Sequence, residues 1–501
     1  MATIDLKSPR DPAEAAVAEL IDVPKTALRL GEAFAAGGFA LHLVGGSVRD
    51  LLLGRTTAIP DLDFATDARP PDIQRLARSL ATEQWDVGIA FGTVGLLVDG
   101  VRCEVTTYRS EAYDPESRKP TVTFGDTLAG DLLRRDFTVN AMAVTVPDLV
   151  FTDPHGGLAD LAAGRLRTPA PAVESFSDDP LRMLRAARFT AQLGLQPDDA
   201  VLTAMASLAP RLAIVAAERV RDELTSLLLA ADPVGGLELL VDSGLADVVL
   251  PELPALRLSI DEHHQHKDVY RHTLTVLEQA IALEDGLPLG GPDLVVRLAA
   301  LLHDIGKPST KKPLPGGRVS FIGHDVEGAA MTRTRLRALR FPKDVVRAVS
   351  RLVFLHLRFH GYGEGSWTDA AVRRYVRDAG AELERLHVLT RSDCTTRNRR
   401  KAARLSAAYD DLEARITELA AAEDLARVRP DIDGNRVMEL LAIGPGPDVG
   451  RASRHLLAWR LDQGPHDETA AVAELVRWAD EVGIPVPAAT RDRLSQDEPD
   501  I

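Results

Sequence analysis

The chain has 501 residues with 45% apolar and 27% charged side chains, a globular balance that excludes a wholly disordered or collagen-like polymer. Its formal net charge of −15 argues against bulk, non-specific nucleic-acid binding, though not against a local basic face. Cys103 and Cys394 are its two cysteines, which builds neither a disulfide framework nor a cysteine zinc site. The opening MATIDLKSPRDP has no apolar signal core, and no apolar run nears about 18 residues. The expected setting is therefore the cytoplasm, with no membrane partner.

Residues 1–26 read as a polar lead-in. From 27 to 168 the pattern alternates: a helical stretch over Thr26–Ala36, an apolar run Ala40–Val44, a Gly45-Gly46 turn and another helical start. Strand-like runs follow at Asp61–Ala65, Thr93–Val98, Arg102–Tyr108 and Ala141–Val146. Such mixing reads as an α/β or α+β domain. Between them, the polar, proline-containing stretch Tyr108–Pro120 reads as a mobile loop. After Pro169 strand signals mostly vanish. Amphipathic helices are expected over 169–255, with a linker at Pro251–Ile260. Residues 256–405 and 406–501 read as two further helical domains.

Four segments carry chemistry. The first, Leu43-Val-Gly-Gly-Ser-Val-Arg-Asp, is a strand, a glycine turn and a helix start, where free N–H groups and Arg49 suit an anion. It lacks the Gly-Lys-Ser/Thr ending of a Walker loop. In the second, Asp61 and Asp63 are two apart on a strand and so share a face. Paired carboxylates call for a divalent cation, and Glu104 offers a third for two-metal phosphoryl chemistry. A solvated edge strand is the plainer alternative for the pair alone. In the third, Arg134, Arg135, Asp136 and Asn140 crowd an apolar segment and suit a triphosphate and a ribose hydroxyl. In the fourth, Asp179 and Arg182 stand at i, i+3, with Arg185 and Arg188 continuing the stripe. An acceptor and a donor side by side suit the edge of a base, while an intrahelical salt bridge remains the alternative.

In this order LVGGSVRD, DLDF, RRDFTVNAMA and DDPLRMLRAARF resemble the class II nucleotidyltransferases, that is, CCA-adding tRNA nucleotidyltransferases and poly(A) polymerases. The resemblance implies an α+β fold. A small mixed-sheet nucleotidyltransferase head is followed by an elongated all-α neck, an HD-type helical body and a helical tail. It implies that Asp61 and Asp63 hold Mg²⁺ beside Glu104, and that Gly45, Gly46, Ser47, Arg49, Arg134 and Arg135 meet the incoming CTP or ATP. Asp136 and Asn140 lie in the segment associated with the ribose. Asp179 and Arg182 would read the base, supported by Arg185 and Arg188. Where the family has Glu-Asp, this chain has Asp178-Asp179. The RNA 3′-hydroxyl would attack the α-phosphate and release pyrophosphate. Complete CCA addition, A-only addition and poly(A) synthesis share these motifs, and the Tyr108–Pro120 loop favours the first.

The histidines form a second constellation. His263, His264, His266 and His272 cluster, and His303-Asp304, His324-Asp325, His356, His360 and Asp393 follow. Adjacent His and Asp in an apolar run must be satisfied where they are buried. The stretch resembles the HD phosphohydrolase superfamily, with His272, His303, Asp304 and Asp393 as the core set and His324 and His356 as the added histidines of two-metal members. That implies a divalent transition metal of unspecified identity, with Lys307 facing phosphate. A second activity on phosphate esters such as 2′,3′-cyclic phosphates is expected, with a degenerate scaffold as the alternative. A basic run from Arg391 to Arg404, including Arg397, reads either as a phosphate strip or as a solvated face. The tail from Arg427 would hold the tRNA elbow, as the head would hold the tRNA 3′ end. Oligomeric state is not encoded in any of these motifs.

Overall fold

The computed structural model describes residues 3–5, 22–55, 61–86, 89, 92–114, 117–124, 127–258, 268–315, 319–359, 367–396, 398–423 and 428–496. His263, His264, His266, His360, Arg397 and Arg427 lie outside the described residues. The chain divides into two units, Met1–Pro254 and Ala255–Ile501.

The first unit opens with ten strands: β1 (Thr3–Asp5), β2 (Leu41–Val44), β3 (Asp61–Thr66), β4 (Ala81–Trp85), β5 (Thr93–Val98), β6 (Val101–Thr107), β7 (Arg109–Asp114), β8 (Ser117–Phe124), β9 (Ala143–Val146) and β10 (Val150–Thr152). Eight form one mixed sheet in the order β1-β10-β9-β2-β3-β6-β5-β4. Only β3 and β6 run parallel within it, which demands a crossover rather than a hairpin between them. Helix Pro70–Ala77 lies in that crossover.

The sheet is two-faced because its strands alternate. In β3, Leu62 and Phe64 are buried while Asp61 and Asp63 stay exposed. The apolar face packs with helices Lys25–Ala36 and Pro70–Ala77, joining Leu30, Phe34, Leu43, Phe64, Ile73, Val94 and Val105 in one core. Helix formation in Lys25–Ala36 follows from burial of Ala27, Leu30 and Phe34 at three- and four-residue spacing.

The structure corrects several expectations. Among its described residues Tyr108–Pro120 is mostly strand: β7 and β8 pair antiparallel, with Arg109 opposite Phe124 and Ala112 opposite Thr121. The run Thr121-Val-Thr-Phe is β-branched and aromatic, and this propensity outweighs the proline at the strand's middle. Strands β1, β4 and β10 carry no alternating apolar signal of their own and exist through edge pairing. The expected linker at Pro251–Ile260 contains helix Glu252–Ala255 and a 3₁₀ turn at Leu256–Leu258.

Beyond the sheet, helices Ala172–Asp178, Leu181–Leu193, Asp199–Leu208, Ala217–Leu228 and Val234–Asp242 follow. Leu181–Leu193 buries Leu181, Leu184, Ala187 and Ala191, which leaves Arg182, Arg185 and Arg188 half-buried on another side. In the second unit, helix Val269–Leu283 packs against Leu294–Leu302 and Leu383–Ser392. Helices His324–Ala338 and Lys343–Leu355 form a hairpin whose second arm also meets Leu294–Leu302. Helices Gly434–Leu441, Pro447–Gln463 and Glu468–Val482 close their own apolar core around Leu440, Leu456, Leu475 and Trp478. Among the described residues no helix is long and apolar enough to cross a membrane.

Candidate active site and histidine cluster

The carboxylates of the first unit meet through strand register. Asp63 pairs with Glu104 and Asp61 with Arg102 across the parallel β3–β6 ladder, so Asp61, Asp63 and Glu104 share one sheet face. Ser47, in the first turn of helix Gly46–Leu52, clamps this edge: its hydroxyl accepts from the Asp63 amide at 3.0 Å and donates to the Asp61 carbonyl at 3.3 Å. Although Asp63 is surface-accessible, desolvation by the protein packed around it, then the nearby Glu104 and Asp61, push its carboxyl up to about 6 against the pull of Arg135 and Arg185. Carboxylates that crowd one another this way fit a divalent cation, which would remove the repulsion.

The glycine turn faces the same place. Gly45 has φ +70, and a Cβ there would stand 2.8 Å from an Arg135 Nη. The turn therefore lets a guanidinium lie directly on backbone. Arg135 is held there by Asp131, which also takes Arg134; the carboxylate is 1% exposed, at 3.1 Å and 2.5 Å from the two guanidiniums. Arg49 donates to Asn140 Oδ1 at 2.6 Å, and Asn140 donates to Asp136 at 3.0 Å. Asp136 in turn accepts from Arg185 Nε at 2.7 Å. Its carboxyl is buried, yet Arg185 and the Asn140 amide hold it well below the ordinary carboxylate range. Glu223 accepts from Arg188 at 2.7 Å and lies 3.5 Å from Arg185. Arg49, Arg185 and Arg188 all approach the Phe189 ring, Arg188 most closely at 4.4 Å. Three of the four sequence segments thus join one polar network, and Ser47 ties the Asp61–Asp63 strand to the helix that carries Arg49.

One expectation is corrected. Asp179 and Arg182 do not share a helix face. Asp179 is the extended residue ending helix Ala172–Asp178, and the next helix starts at Leu181 after Pro180. Proline disfavours helical geometry in the residue before it, so the chain breaks between the two. Asp179 pairs with Arg219 at 2.9 Å, while Arg182 donates to Ser175 Oγ at 2.7 Å and to the Arg134 carbonyl. The intrahelical salt bridge is accordingly not formed. Asp131 and Glu223 are the organising carboxylates that motif reading passed over. Their signal is an acid three or four residues before paired arginines, or an acid inside an apolar helix repeat.

The six residues of the second constellation converge in the second unit. His272, His303 and Asp393 offer ligand atoms within 4.8 Å of one another, and so do Asp304, His324 and His356. His303 and Asp304 lie just past the end of helix Leu294–Leu302, not inside it. Each imidazole is aimed by its Nδ1: His303 at the Ala300 carbonyl, His324 at Phe321, His356 at Val353 and His272 at the Thr395 hydroxyl. That leaves the four Nε2 atoms turned inward. Asp304 joins the sets, with one oxygen 3.2 Å from His303 Nε2 and the other 3.3 Å from His324 Nε2. His272 Nε2 lies 2.9 Å from Asp393. Gly306 allows this closure, since a Cβ there would fall 2.3 Å from the His324 carbonyl oxygen.

The chemistry of this donor set fits metal. His303 Nε2 is buried and makes no hydrogen bond among the described residues, and His324 and His356 present Nε2 to Nε2 at 3.3 Å. Burial opposes charge on His303, yet the Asp304 and Asp393 carboxylates raise it to about 9; burial, then that neighbouring cation, push His356 down to about 4. Imidazoles driven apart in this manner are what two shared cations would relieve. Lys307 is buried with its Nζ 2.7 Å from Asp304, which places it at the cluster. The basic run instead starts with a structural pairing: Arg391 lies 2.8 Å from Asp410 and 2.9 Å from Glu413.

Comparison with known proteins agrees with this arrangement. Residues 41–167 match the poly(A) polymerase head domain, 194–256 the probable RNA and SrmB-binding site of polymerase A, and 269–420 the HD domain. An A-adding tRNA nucleotidyltransferase of Deinococcus radiodurans is 34% identical over 88% of this chain and 95% of its own length. A CCA-adding enzyme of Leuconostoc mesenteroides is 41% identical, but over 47% of this chain and 55% of that protein. The fold resembles the Bacillus stearothermophilus CCA-adding enzyme solved with CTP, at TM-score 0.66 and 24% identity over 92% of this chain and 98% of that one. It also resembles the Thermotoga maritima CCA-adding enzyme complexed with tRNA_CCA, at TM-score 0.57 and 19% identity over 93% and 98%. With a full-length relative above 30% identity and the carboxylate face and glycine turn in place, the chain belongs to the tRNA nucleotidyltransferase and poly(A) polymerase family.

Proposed function

We propose that the first unit completes tRNA 3′ ends with CCA from CTP and ATP. The observation that carries this reading is the shared face of Asp61, Asp63 and Glu104 beside the Gly45 turn and its docked Arg135. Asp61 and Asp63 would hold Mg²⁺, which lowers the pKa of the attacking hydroxyl and offsets charge on the leaving group. The chain's own residues do the rest. Arg49, Arg134 and Arg135, with the amides of Gly46 and Ser47, bind the triphosphate and hold its α-phosphorus towards the carboxylates. Asn140 and Asp136 orient the ribose. Bond formation from the RNA 3′-oxygen to the α-phosphorus then expels pyrophosphate.

Base choice falls to Asp179 as acceptor and Arg182 as donor. Each trades a protein partner for the base edge. The half-exposed Arg219–Asp179 pair is of a kind worth only about 0–1 kcal/mol, so the exchange costs little. Arg185 and Arg188, fixed by Asp136 and Glu223, keep the second reader's helix in register.

The second unit, on the same reading, binds two divalent transition metals through His272, His303, Asp393, Asp304, His324 and His356, for hydrolysis of phosphate esters. The cytoplasm is the compartment this chemistry suits. A second reading of the first unit, addition of A alone, rests on the name of the Deinococcus relative, while the CCA-adding relatives and structural neighbours support the first. One experiment separates them. Purified protein is given tRNA ending at the discriminator base, with CTP, ATP or both, and products are resolved at single-nucleotide length. Two C additions with CTP and a terminal A with both establish CCA synthesis. Addition of A only to tRNA already ending in CC establishes the second reading, and a long A tail refutes both.

A further inference from the structure

The hairpin of helices His324–Ala338 and Lys343–Leu355 carries a cavity of about 520 Å³ that none of the chemistry above uses. Arg333, Arg337, Lys343, Arg347 and Arg351 line it, with no carboxylate among the lining side chains. The chain has 74 acidic and 59 basic side chains, so this concentration runs against its composition. Arg351 donates to the Asp378 carbonyl oxygen at 2.5 Å. Among the described residues, Arg333, Arg337, Lys343 and Arg347 make no ion pair. Cations gathered on one concavity repel one another unless an anion joins them. The forked guanidiniums among them suit phosphate oxygens in particular.

Two further features narrow the ligand. Val346 and Phe341 are buried in the lining and Phe354 is 38% exposed, so one wall is apolar and can take a flat ring. Ser350, 3% exposed, also lines the cavity, and its buried hydroxyl has no hydrogen-bond partner among the described residues. A buried hydroxyl is ordinarily satisfied, and its orphaning here points to a missing polar partner. The volume lies within the roughly 300–1,000 Å³ typical of small-ligand sites.

We propose that this cavity is a nucleotide site, with phosphate on the arginines and the base against Phe354. None of its lining residues belongs to the carboxylate face or to the histidine cluster, so it goes beyond the proposed function and does not depend on it. The phosphate could be that of a free nucleotide or of an RNA end, and competition distinguishes these sources.

The test uses the full chain. Photocrosslinking with 8-azido-[α-³²P]ATP is followed by peptide mapping, and equilibrium dialysis with [³²P]ATP counts sites. Label is expected on peptides spanning 341–354 as well as on the first unit. Arg337→Glu/Arg347→Glu, both exposed, should weaken the second site at least about tenfold and leave nucleotide addition to tRNA unchanged. Ser350→Ala, a smaller change, should weaken it without altering charge and serves should the double variant fold poorly. Displacement of the 341–354 label by tRNA but not by AMP assigns the site to an RNA end, and the converse assigns it to a free nucleotide. Absence of label from 341–354, or equal binding by wild type and both variants, overturns the proposal.

Discussion

Removing Asp131 tests whether Arg134 and Arg135, proposed above to bind the triphosphate, are held by the fold or merely lie near it. Asp131→Ala leaves Arg134 and Arg135 without their carboxylate, and each of these side chains is 20% exposed. Breaking a buried pair by deleting one partner costs about 3–5 kcal/mol, and the partial exposure of both arginines reduces this to about 2–3 kcal/mol. At about 2–4 °C per kcal/mol, the unfolding transition of the first unit should fall by about 5–10 °C. Asp131→Asn keeps hydrogen bonding and should lose about half as much. The pH dependence carries a sign. Although burial opposes it, Arg135 and Arg134 hold the Asp131 carboxyl below its ordinary value. Its contribution is therefore complete above the unfolded carboxyl pKa near 3.9 and is lost as pH falls below it. The gap between wild type and Asp131→Ala should be full at pH 7 and close on acidification below about pH 4. Thermal unfolding followed by circular dichroism at several pH values reads this directly. Because Arg135 lies on the Gly45 turn, KM for CTP and ATP should rise about tenfold, more than kcat falls. An unfolding midpoint within about 1 °C of wild type at pH 7 would refute the structural argument. An unchanged KM in a folded variant would refute the positioning argument.

Other perturbations follow from the same geometry. Asp63→Asn should reduce nucleotide incorporation at least about a hundredfold in a primer-extension assay while the protein stays folded; undiminished incorporation removes Asp63 from the reaction. Gly45→Ala forces a side chain into φ +70 and against Arg135, so stability should drop by about 1–2 kcal/mol in urea unfolding, with a raised KM for nucleotide. His303→Ala should lower bound transition metal, measured by plasma mass spectrometry after gel filtration, and leave nucleotide addition intact; full metal content in the variant would contradict the cluster assignment. Arg219→Ala releases Asp179 from its salt bridge and should change misincorporation of U and G by less than about fivefold, whereas Asp179→Ala should abolish discrimination between C and U.

The contrast between Asp63 and Asp179 shows where local pattern stops being informative. Asp61 and Asp63 share a face because side chains in any strand alternate, so their joint exposure was legible from spacing alone. The same holds for the strand-turn-helix at Gly45, whereas the choice of ligand-type residues from His272 to Asp393 came from the resemblance to the HD phosphohydrolases and not from spacing. The i, i+3 reading of Asp179 and Arg182 failed because Pro180 ends one helix and begins another between them.

What tertiary structure alone decided is partnership over long sequence separation. Glu104 stands beside Asp63 only because β3 and β6 pair in parallel in this register. Asp136 belongs to Arg185, and Asp179 to Arg219, through packing of segments that no spacing rule relates. The division of the histidine cluster into two triads, with Asp304 facing both, depends on five segments meeting at one point. The arginines of the cavity are ordinary surface residues on each helix by itself. They become a site only when the hairpin brings Arg333 and Arg337 onto the same concavity as Arg347 and Arg351. Periodicity sets which face a side chain takes, and the burial of apolar surface between elements sets what that face meets.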